Sequence, residues 1–344
     1  MFGFSVFLHD DLTDETVDHL KKMAATGFRG VFTSINLPED DPAYLLERLK
    51  YLGEICQNLK LRLTVDISST ALKRLKIDTR DLFNCQLRLD DGIDFITIAE
   101  LSQEISLALN ASTLNEEEYQ ILKSSGANFA NLEAWHNYYP RKNTGLERAW
   151  FNGRNRWLAD HGFKVTAFVP GDGTLRGPVF ATLPTLEEDR GKRPLAPAIK
   201  MLQSGVDLVY VGDGFLSLES TEQFAKFLKK DVVMLHAKFS SLTPAYFRQV
   251  LHQRADLARD VIRIVEGRKF KTAPIMPASV CARPRGSITL DNELAQRYAG
   301  ELEIVKKDLP GDQTVNVIGQ IVSEDLGLLD VCNSGQGIEI RGID

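Results

Sequence analysis

The sequence predicts an α/β protein with a closed (β/α)8 TIM barrel followed by a small C-terminal antiparallel β domain. Up to about residue 265, short β-branched or aromatic runs alternate with segments of helical period, the pattern of parallel βαβ units. Eight such strands can be assigned, and neither GxGxxG nor a Walker A motif follows any of them, which favours a barrel over an open nucleotide-binding sheet. Beyond residue 267, short strands are separated by Gly, Pro and Asp turns.

The first half of the barrel is predicted from apolar runs that end at polar residues. The helix after the first strand begins with a capping-box-like segment at residues 13–16 and ends at Gly27, which suits a helix C′ position. The next helix, at residues 42–58, carries Leu45, Leu49 and Leu52 on one face. We expect the first four strands at residues 2–7, 30–34, 61–66 and 86–89.

The second half of the barrel is marked by glycines. Gly126, Gly162 and Gly205 each lie a few residues before an apolar run, as expected for turns from helix to strand. A long helix at residues 244–266 is predicted to end the barrel. We expect the last four strands at residues 105–109, 129–132, 164–169 and 208–211.

The predicted domain boundary follows from the change in pattern after this helix. The barrel is assigned to residues 1–266 and the β domain to residues 267–344, with residues 267–282 as a linker. Arg283 and Arg285 stand at the entrance of the β domain, where they either reach over the barrel mouth or belong to a solvated linker. The strands of this domain are predicted at residues 287–290, 302–305, 315–322, 328–331 and 338–340.

The composition excludes several classes of protein. With 43% hydrophobic residues, 26% charged residues and a net charge of −6, the chain is typical of globular proteins and unlike a nucleic-acid binder. No apolar run approaches the ~20 residues that span a bilayer, and no secretory signal pattern follows Met1. The four cysteines lack a CxxC pair, so we expect free thiols and a cytoplasmic location. A homo-oligomer is compatible with the sequence.

Carboxylates follow several predicted strands, at the end of a barrel where catalytic groups collect. Asp66, Asp90 and Glu133 lie at the tails of apolar runs, where an unpaired carboxylate would be costly. Such residues suit a general acid paired with a nucleophile or base, which is the requirement for glycoside cleavage. The other loop aspartates fit helix caps or turns equally well: Asp10, Asp11, Asp172 and Asp213.

Arginines among Gly and Pro residues follow the sixth and seventh predicted strands. Arg141, Arg176 and Arg190 offer forked donors for phosphate or carboxylate, and barrels often bind phosphate on such late loops. Because the protein is acidic overall, this concentration of cations predicts an anionic substrate. Surface salt bridges are the alternative role for each arginine.

Aromatic and metal-ligating residues leave alternatives open. Trp135, Tyr138 and Tyr139 have ring faces that suit stacking on a sugar, although core packing would equally explain Trp135. A metal site is a competing use of the polar residues, but no HExxH or similar spacing supports one, and no metal or cofactor is expected. Its candidate ligands would be His9, Asp10, Asp66, Glu133 and His136.

Four segments taken together resemble the MupG family of bacterial 6-phospho-N-acetylmuramidases: residues 87–92 (LRLDDG), 109–113 (LNAST), 133–141 (EAWHNYYPR) and 173–178 (GTLRGP). The resemblance covers essentially the whole chain, and the C-terminal part resembles the cyclophilin-like domain of that family. It implies an exo-acting glycosidase that cleaves N-acetylmuramic acid 6-phosphate from N-acetylglucosamine during peptidoglycan recycling. This anionic amino-sugar disaccharide carries a phosphate and a lactyl carboxylate, so two anion sites are implied.

Within that chemistry, we expect Glu133 to be the general acid and Asp90 the nucleophile or base. Asp66 would be a third carboxylate that tunes them or binds a hydroxyl. Retaining, inverting and substrate-assisted mechanisms all remain open, because the separation of the carboxylates is not readable from sequence. The expected substrate-binding residues are His9, Asp10, Asn110, His136, Asn137, Tyr139, Arg141, Arg176 and Arg190.

Two other functions remain open from the residues alone. A phosphosugar aldolase or epimerase could use the same barrel, but a Schiff-base aldolase needs a lysine at a strand end. The nearest candidate, Lys238, follows an apolar run at residues 232–236, outside the eight assigned strands. A non-catalytic phosphosugar-binding protein would need the anion site but not several convergent carboxylates.

Overall fold

The computed structural model describes residues 1–9, 11–36, 42–71, 85–90, 92–240, 247 and 249–343. The chain forms two compact units, Met1–Thr221 and Glu222–Asp344. Within the described ranges, no helix combines the length and the apolar character needed to cross a membrane. All four cysteines, Cys56, Cys85, Cys281 and Cys332, are free thiols, as predicted.

The first unit contains a closed barrel of eight parallel strands, which confirms the predicted fold. Each strand pairs with the next in sequence, and the eighth pairs with the first. The strands are β1 (Phe2–Ser5), β2 (Gly30–Ser34), β3 (Arg62–Ile67), β4 (Cys85–Leu89), β5 (Leu107–Asn110), β6 (Leu132–Trp135), β7 (Lys164–Val169) and β8 (Leu208–Val211).

The described residues include seven α-helices, and the first two agree with the helices predicted before Gly27 and at residues 42–58. They are α1 (Asp14–Thr26), α2 (Pro42–Leu59), α3 (Phe95–Leu101), α4 (Glu116–Ser124), α5 (Arg148–Asp160), α6 (Leu195–Gln203) and α7 (Leu218–Lys230). The predicted cap of α1 is present, because the Thr13 side chain accepts a hydrogen bond from the Thr16 backbone. The helix is followed by Gly27 with φ 124°, a conformation that other residues rarely adopt.

The barrel interior is filled by an aromatic layer that we define as Phe32, Trp135, Phe168 and Tyr210. Tyr210 leaves no room for side chains on the neighbouring strands. A Cβ added at Gly3 would lie 2.2 Å from its Cε1, and one added at Gly30 would lie 2.1 Å from its hydroxyl oxygen. Because the centre is packed rather than open, a ligand site must lie at an end of the barrel.

The second unit contains a seven-stranded sheet in the order β10-β15-β9-β14-β12-β13-β11. The prediction of an antiparallel sheet requires a correction, because β9 and β15 are paired in parallel while the other pairs are antiparallel. The strands are β9 (Val232–Phe239), β10 (Leu251–His252), β11 (Val261–Arg263), β12 (Ser287–Asp291), β13 (Leu302–Val305), β14 (Val315–Ile321) and β15 (Gly337–Gly342).

The region between the barrel and the later strands differs from the prediction. The helix predicted at residues 244–266 is wrong: Phe247 and Leu251 are buried with helical spacing, but β10 and β11 occupy this region. The strand predicted at residues 328–331 is also wrong, since Ser323–Asp330 forms a 3-10 helix. Because this region contributes to the second sheet, the boundary between the two units follows Thr221, ahead of the predicted residue 266.

Candidate functional site

A cluster of charged and polar side chains lies at the carboxyl-terminal end of the barrel. Its centre is Arg88 of β4, which forms ion pairs with Asp66 of β3 and, at 3.3 Å, with Asp90. Arg88 also donates a hydrogen bond to the side-chain oxygen of Asn137, just beyond β6. Because β5 lies between β4 and β6, this contact crosses the barrel mouth. The structure therefore brings together three predicted site residues: Asp66, Asp90 and Asn137.

Asp66 is fully engaged by the protein. Beyond its ion pair with Arg88, its Oδ2 accepts hydrogen bonds from Ser34 Oγ and Asn36 Nδ2, both at 3.0 Å. Asn36 is itself held by the Ser68 backbone N–H, which donates to its Oδ1 at 2.8 Å. A buried ion pair is stable only when its remaining lone pairs are satisfied in this way. Asp66 is therefore placed to orient Arg88.

Asp90 differs from Asp66 in its access to solvent. Its side chain is 42% exposed, whereas those of Asp66 and Arg88 are 11% and 4% exposed. Burial alone would lower the pKa of Arg88, but the charges of Asp66 and Asp90 more than offset it and raise that pKa. The Arg88 guanidinium is fixed beside the Asp90 carboxylate by this ion pair. Asp90 is the carboxylate of this cluster that a ligand can reach.

A second arginine lies on the loop after β7. Arg176 Nη1 donates to the Tyr138 hydroxyl at 2.9 Å, and its Cζ lies 3.8 Å from the centroid of the Phe7 ring. Tyr138 packs edge-on against Phe32 and Phe168 of the aromatic layer. Burial raises the pKa of Tyr138, and the charge of Arg176 opposes that rise. The Arg176 guanidinium group is thus held at the barrel mouth by the Tyr138 hydroxyl and the face of the Phe7 ring.

Asp213 organises the loop that carries Arg176. Its buried carboxylate accepts backbone hydrogen bonds from Gly171 at 2.9 Å, Leu183 at 3.0 Å and Arg176 at 3.4 Å. Burial raises the pKa of Asp213, while these backbone donors lower it. A Cβ added at Gly171 would lie 2.6 Å from the Cβ of Asp213, so this approach requires glycine. Asp213 therefore stabilises a turn, one of the two roles expected from its position in a loop.

Glu133 is not at the barrel mouth, and the predicted placement is wrong. Residues Phe129–Asn131 form a 3-10 turn, so β6 begins at Leu132 and Glu133 is its second residue. Its Oε1 accepts from Arg62 Nη1 and Nη2 at 2.8 and 2.9 Å, and its Oε2 accepts from Trp135 Nε1 at 2.8 Å. Arg62 is the first residue of β3, so the pair lies toward the amino-terminal end of the barrel.

His136 directly follows β6, but its ring is turned away from the barrel interior. Its ring is fully buried against α5, with Nε2 2.7 Å from Asn155 Oδ1 and Nδ1 3.3 Å from Ser112 Oγ. Burial lowers the pKa of His136 to about 4, so the ring is neutral at physiological pH. The side chain next to Trp135 on the chain faces away from the barrel interior, because neighbouring residues of a strand alternate in direction. His136 therefore supports the fold and is not exposed to a ligand.

Arg190 is a clamp between loops, not an open anion site. Its Nε and Nη2 donate to the Glu187 carboxylate, both at 2.7 Å. Its remaining donors reach backbone carbonyls after β6 and β7, including those of Ala181 at 2.8 Å and Tyr139 at 2.9 Å. The hydrogen bond to Glu187 is the main cause that lowers the pKa of that carboxylate to about 2. An arginine with its donors so occupied has none left for a ligand.

The other predicted contacts lie on loops at the same end of the barrel. Asn110 is the last residue of β5, and its Oδ1 accepts from the Ser112 backbone at 3.0 Å. His9 and Arg141 are exposed, and Tyr139 is half-buried. Trp135 packs in the barrel core, which was the alternative to stacking on a sugar. Asp10 lies outside the described residues.

Arg88 is the main site residue that the sequence interpretation did not assign. Leu87 and Leu89 are buried, and Arg88 between them points to the opposite side of the strand, where it reaches Asp66 and Asn137. A charged residue at such a position indicates a buried partner, and this signal was available in the segment 87–92. Within the part of the chain that is described, no three His, Cys, Asp or Glu side chains are grouped as metal ligands would be.

Comparisons with known proteins cover both units. Residues 2–226 match the family described as 6-phospho-N-acetylmuramidase, N-terminal, and residues 232–341 match its C-terminal counterpart. A crystal structure of a conserved Enterococcus faecalis protein with an unknown function is 40% identical, with a TM-score of 0.92 over 99% of this chain and 96% of that one.

An uncharacterized B. cereus protein is 22% identical, with a TM-score of 0.74 over 100% of this chain and 99% of that one, and shares the fold. Among curated proteins no match was found. The family resemblance of the four sequence segments is thus confirmed over both units. The chain belongs to the MupG 6-phospho-N-acetylmuramidase family.

Proposed function

We propose that the protein hydrolyses the glycosidic bond between N-acetylmuramic acid 6-phosphate and N-acetylglucosamine, as a step of peptidoglycan recycling. Besides family membership, the observation that carries the proposal is an exposed carboxylate, Asp90, beside a buried arginine at the barrel mouth. Glycoside cleavage needs a carboxylate close to the anomeric carbon, where positive charge develops in the transition state. A substrate phosphorylated during uptake would meet the enzyme in the cytoplasm.

Asp90 acts in this proposal as the nucleophile or base. Arg88 fixes its position, and Asp66 in turn holds Arg88. Asp66 is a positioning residue, since its oxygens are engaged by protein donors. Glu133 has no part in the proposal, because Arg62 and Trp135 occupy both of its oxygens below the mouth.

The anionic groups of the sugar require separate cations at the mouth. Arg176 is held by Tyr138 and Phe7 with part of its guanidinium edge unused by these contacts, and Arg141 is exposed on the loop after β6. Phosphate and the lactyl carboxylate both suit the forked donors of arginine. Asn110 and Asn137 offer amide groups to sugar hydroxyls, and His9 and Tyr139 complete the rim.

The test is direct measurement of N-acetylglucosamine release from the 6-phosphorylated disaccharide by the purified protein. The unphosphorylated disaccharide is the matched control, and its turnover should be at least about tenfold slower because the charged contacts are lost. Tight binding of the phosphorylated sugar without any release would contradict the proposal and support a binding protein.

The aldolase alternative lacks structural support. Lys238 lies on β9 in the second unit, where it is exposed, and not at the end of a barrel strand. A Schiff-base lysine needs a desolvated or cationic setting that lowers its pKa. Treatment with borohydride and a phosphosugar is therefore expected to leave the mass of the protein unchanged.

A further inference from the structure

The loop after β7 carries an exposed aromatic residue in an unfavourable backbone conformation. Phe180 is 63% exposed, and its backbone φ of 50° lies in the left-handed region. Bulky residues are rare in that region, and large aromatic side chains are normally buried. Strain of this kind persists where the surroundings impose it, and it is concentrated at functional sites.

Phe180 is attached to the same short turn as Arg176. The Phe180 N–H donates to the Arg176 carbonyl at 3.2 Å, and the ring lies over Gly177, where an added Cβ would be 3.0 Å from Phe180 Cζ. On its other side, Arg190 Nη1 holds the carbonyls of Ala181 and Thr182 at 2.8 and 3.0 Å. The backbone on both sides of Phe180 is therefore held, while its ring lies over Gly177, next to Arg176 in the chain, and remains largely open to solvent.

The charges of the mouth divide the site into two parts. Arg88 is already paired with Asp66 and Asp90, so an anionic group of a ligand is drawn to the half-buried Arg176. Phe180 and its neighbour Val179 are exposed and carry no polar side-chain group. The C–H face of an uncharged pyranose is apolar, and it gains most by covering an aromatic ring that would otherwise face water.

We propose that Phe180 is the platform on which the uncharged N-acetylglucosamine ring stacks on the leaving-group side of the scissile bond. This inference rests on the proposed function, because it assigns the second sugar of that disaccharide. Phe180 is a specificity-determining residue in this account: it binds the leaving sugar and takes no part in proton transfer.

The experiment compares a ligand with the second sugar and a ligand without it. In Phe180→Ala, KM for the disaccharide should rise about tenfold, while Kd for N-acetylmuramic acid 6-phosphate alone should stay within about twofold. Phe180→Gly should behave in the same way and suits the positive φ, so loss of folding is not a concern. Phe180→Tyr should restore KM, and Leu257→Ala, at an exposed apolar position of the second unit, is the control with wild-type constants.

Two results would overturn the inference: an unchanged KM in Phe180→Ala and Phe180→Gly, or an equal weakening of both ligands. Either result in an enzyme that still releases N-acetylglucosamine would reject the stacking role alone. A wild-type protein that releases none would reject the proposed function, and the stacking role with it. These two failures are therefore distinguishable.

Discussion

Two of the barrel's pairs of arginine and carboxylate lie toward opposite ends, and they differ in how far the carboxylate is open to a ligand. In the pair Arg62–Glu133, both carboxylate oxygens accept hydrogen bonds, and the Glu133 side chain is 9% exposed. In the pair Arg88–Asp90, the arginine is buried and the Asp90 side chain is 42% exposed. The same two residue types thus make a closed structural contact at one end and an open site at the other.

The aromatic layer accounts for this difference. Trp135 follows Glu133 by two residues on β6, donates to it, and packs against Tyr210 with ring centroids 4.7 Å apart. Below this layer, Glu133 is engaged by Arg62 and by Trp135 of the layer itself. Those above it meet the loops, where Asp90 and Asn137 lie beyond the strand ends. Position along the strand, and not residue type, decides which carboxylate is available for chemistry.

The largest effect is expected from removing the buried guanidinium group of Arg88. Arg88→Met would leave the buried Asp66 charge without its ion-pair partner, and the free energy of unfolding should fall by about 3–5 kcal/mol. Urea denaturation measures this loss. In the double variant Arg88→Met/Asp66→Leu much of it should be recovered, and a loss below about 1 kcal/mol in the single variant would contradict the role of Arg88.

Asp90→Asn removes the charge of the open carboxylate with little change in packing. We expect turnover of the phosphorylated disaccharide to fall at least about a hundredfold, because the nucleophile or base is lost. The free energy of unfolding should change by less than about 1 kcal/mol, since the side chain is partly exposed. Asp18→Asn, at an exposed position on α1, is the control and should keep wild-type kinetics.

Arg176→Lys keeps the charge but removes the fork that contacts both Tyr138 and a ligand. KM for the phosphorylated disaccharide should rise about tenfold, with a smaller change for the unphosphorylated one. Steady-state kinetics on both substrates measure the difference. An equal change for both would show that Arg176 does not bind the phosphate. Arg259→Lys, at an exposed site in the second unit, is the matched control.

Glu133→Gln tests the Arg62–Glu133 pair and should affect stability more than catalysis. Its amide would turn a donor toward Arg62 or Trp135, and the resulting unsatisfied contact should lower the free energy of unfolding by about 1–3 kcal/mol. Activity at a temperature where the variant is folded should stay within about threefold of wild type, as for a residue outside the reaction. A hundredfold loss of turnover would place Glu133 in the chemistry after all.

The barrel was predictable from the sequence because its signals are local. β2, β7 and β8 have the predicted bounds, since their apolar runs are flanked by turns and caps. The second sheet was less predictable. β9 pairs with β14 and β15, which lie far along the chain, and no local pattern shows such partners.

The candidate site was predictable only in part. The placement of Glu133 depended on the end of β6, and the Asn128 side chain caps a 3-10 turn in a segment that was interpreted as strand. His136 and Arg190 have the residue types of a site, but their roles depend on partners such as Asn155 and Glu187. The position of Asp66 and Asp90 at the carboxyl-terminal end of the barrel was predictable because the pattern located the ends of β3 and β4 to within one residue.

The most direct test compares hydrolysis by Asp90→Asn and Glu133→Gln at saturating phosphorylated disaccharide, with both variants confirmed as folded by circular dichroism. If the Arg88–Asp90 pair takes part in catalysis and the Arg62–Glu133 pair only stabilises the barrel, Glu133→Gln should be at least about thirtyfold faster than Asp90→Asn. A reversed ratio, with Asp90→Asn the faster enzyme, would contradict the assignment of the active site to the Arg88–Asp90 end of the barrel.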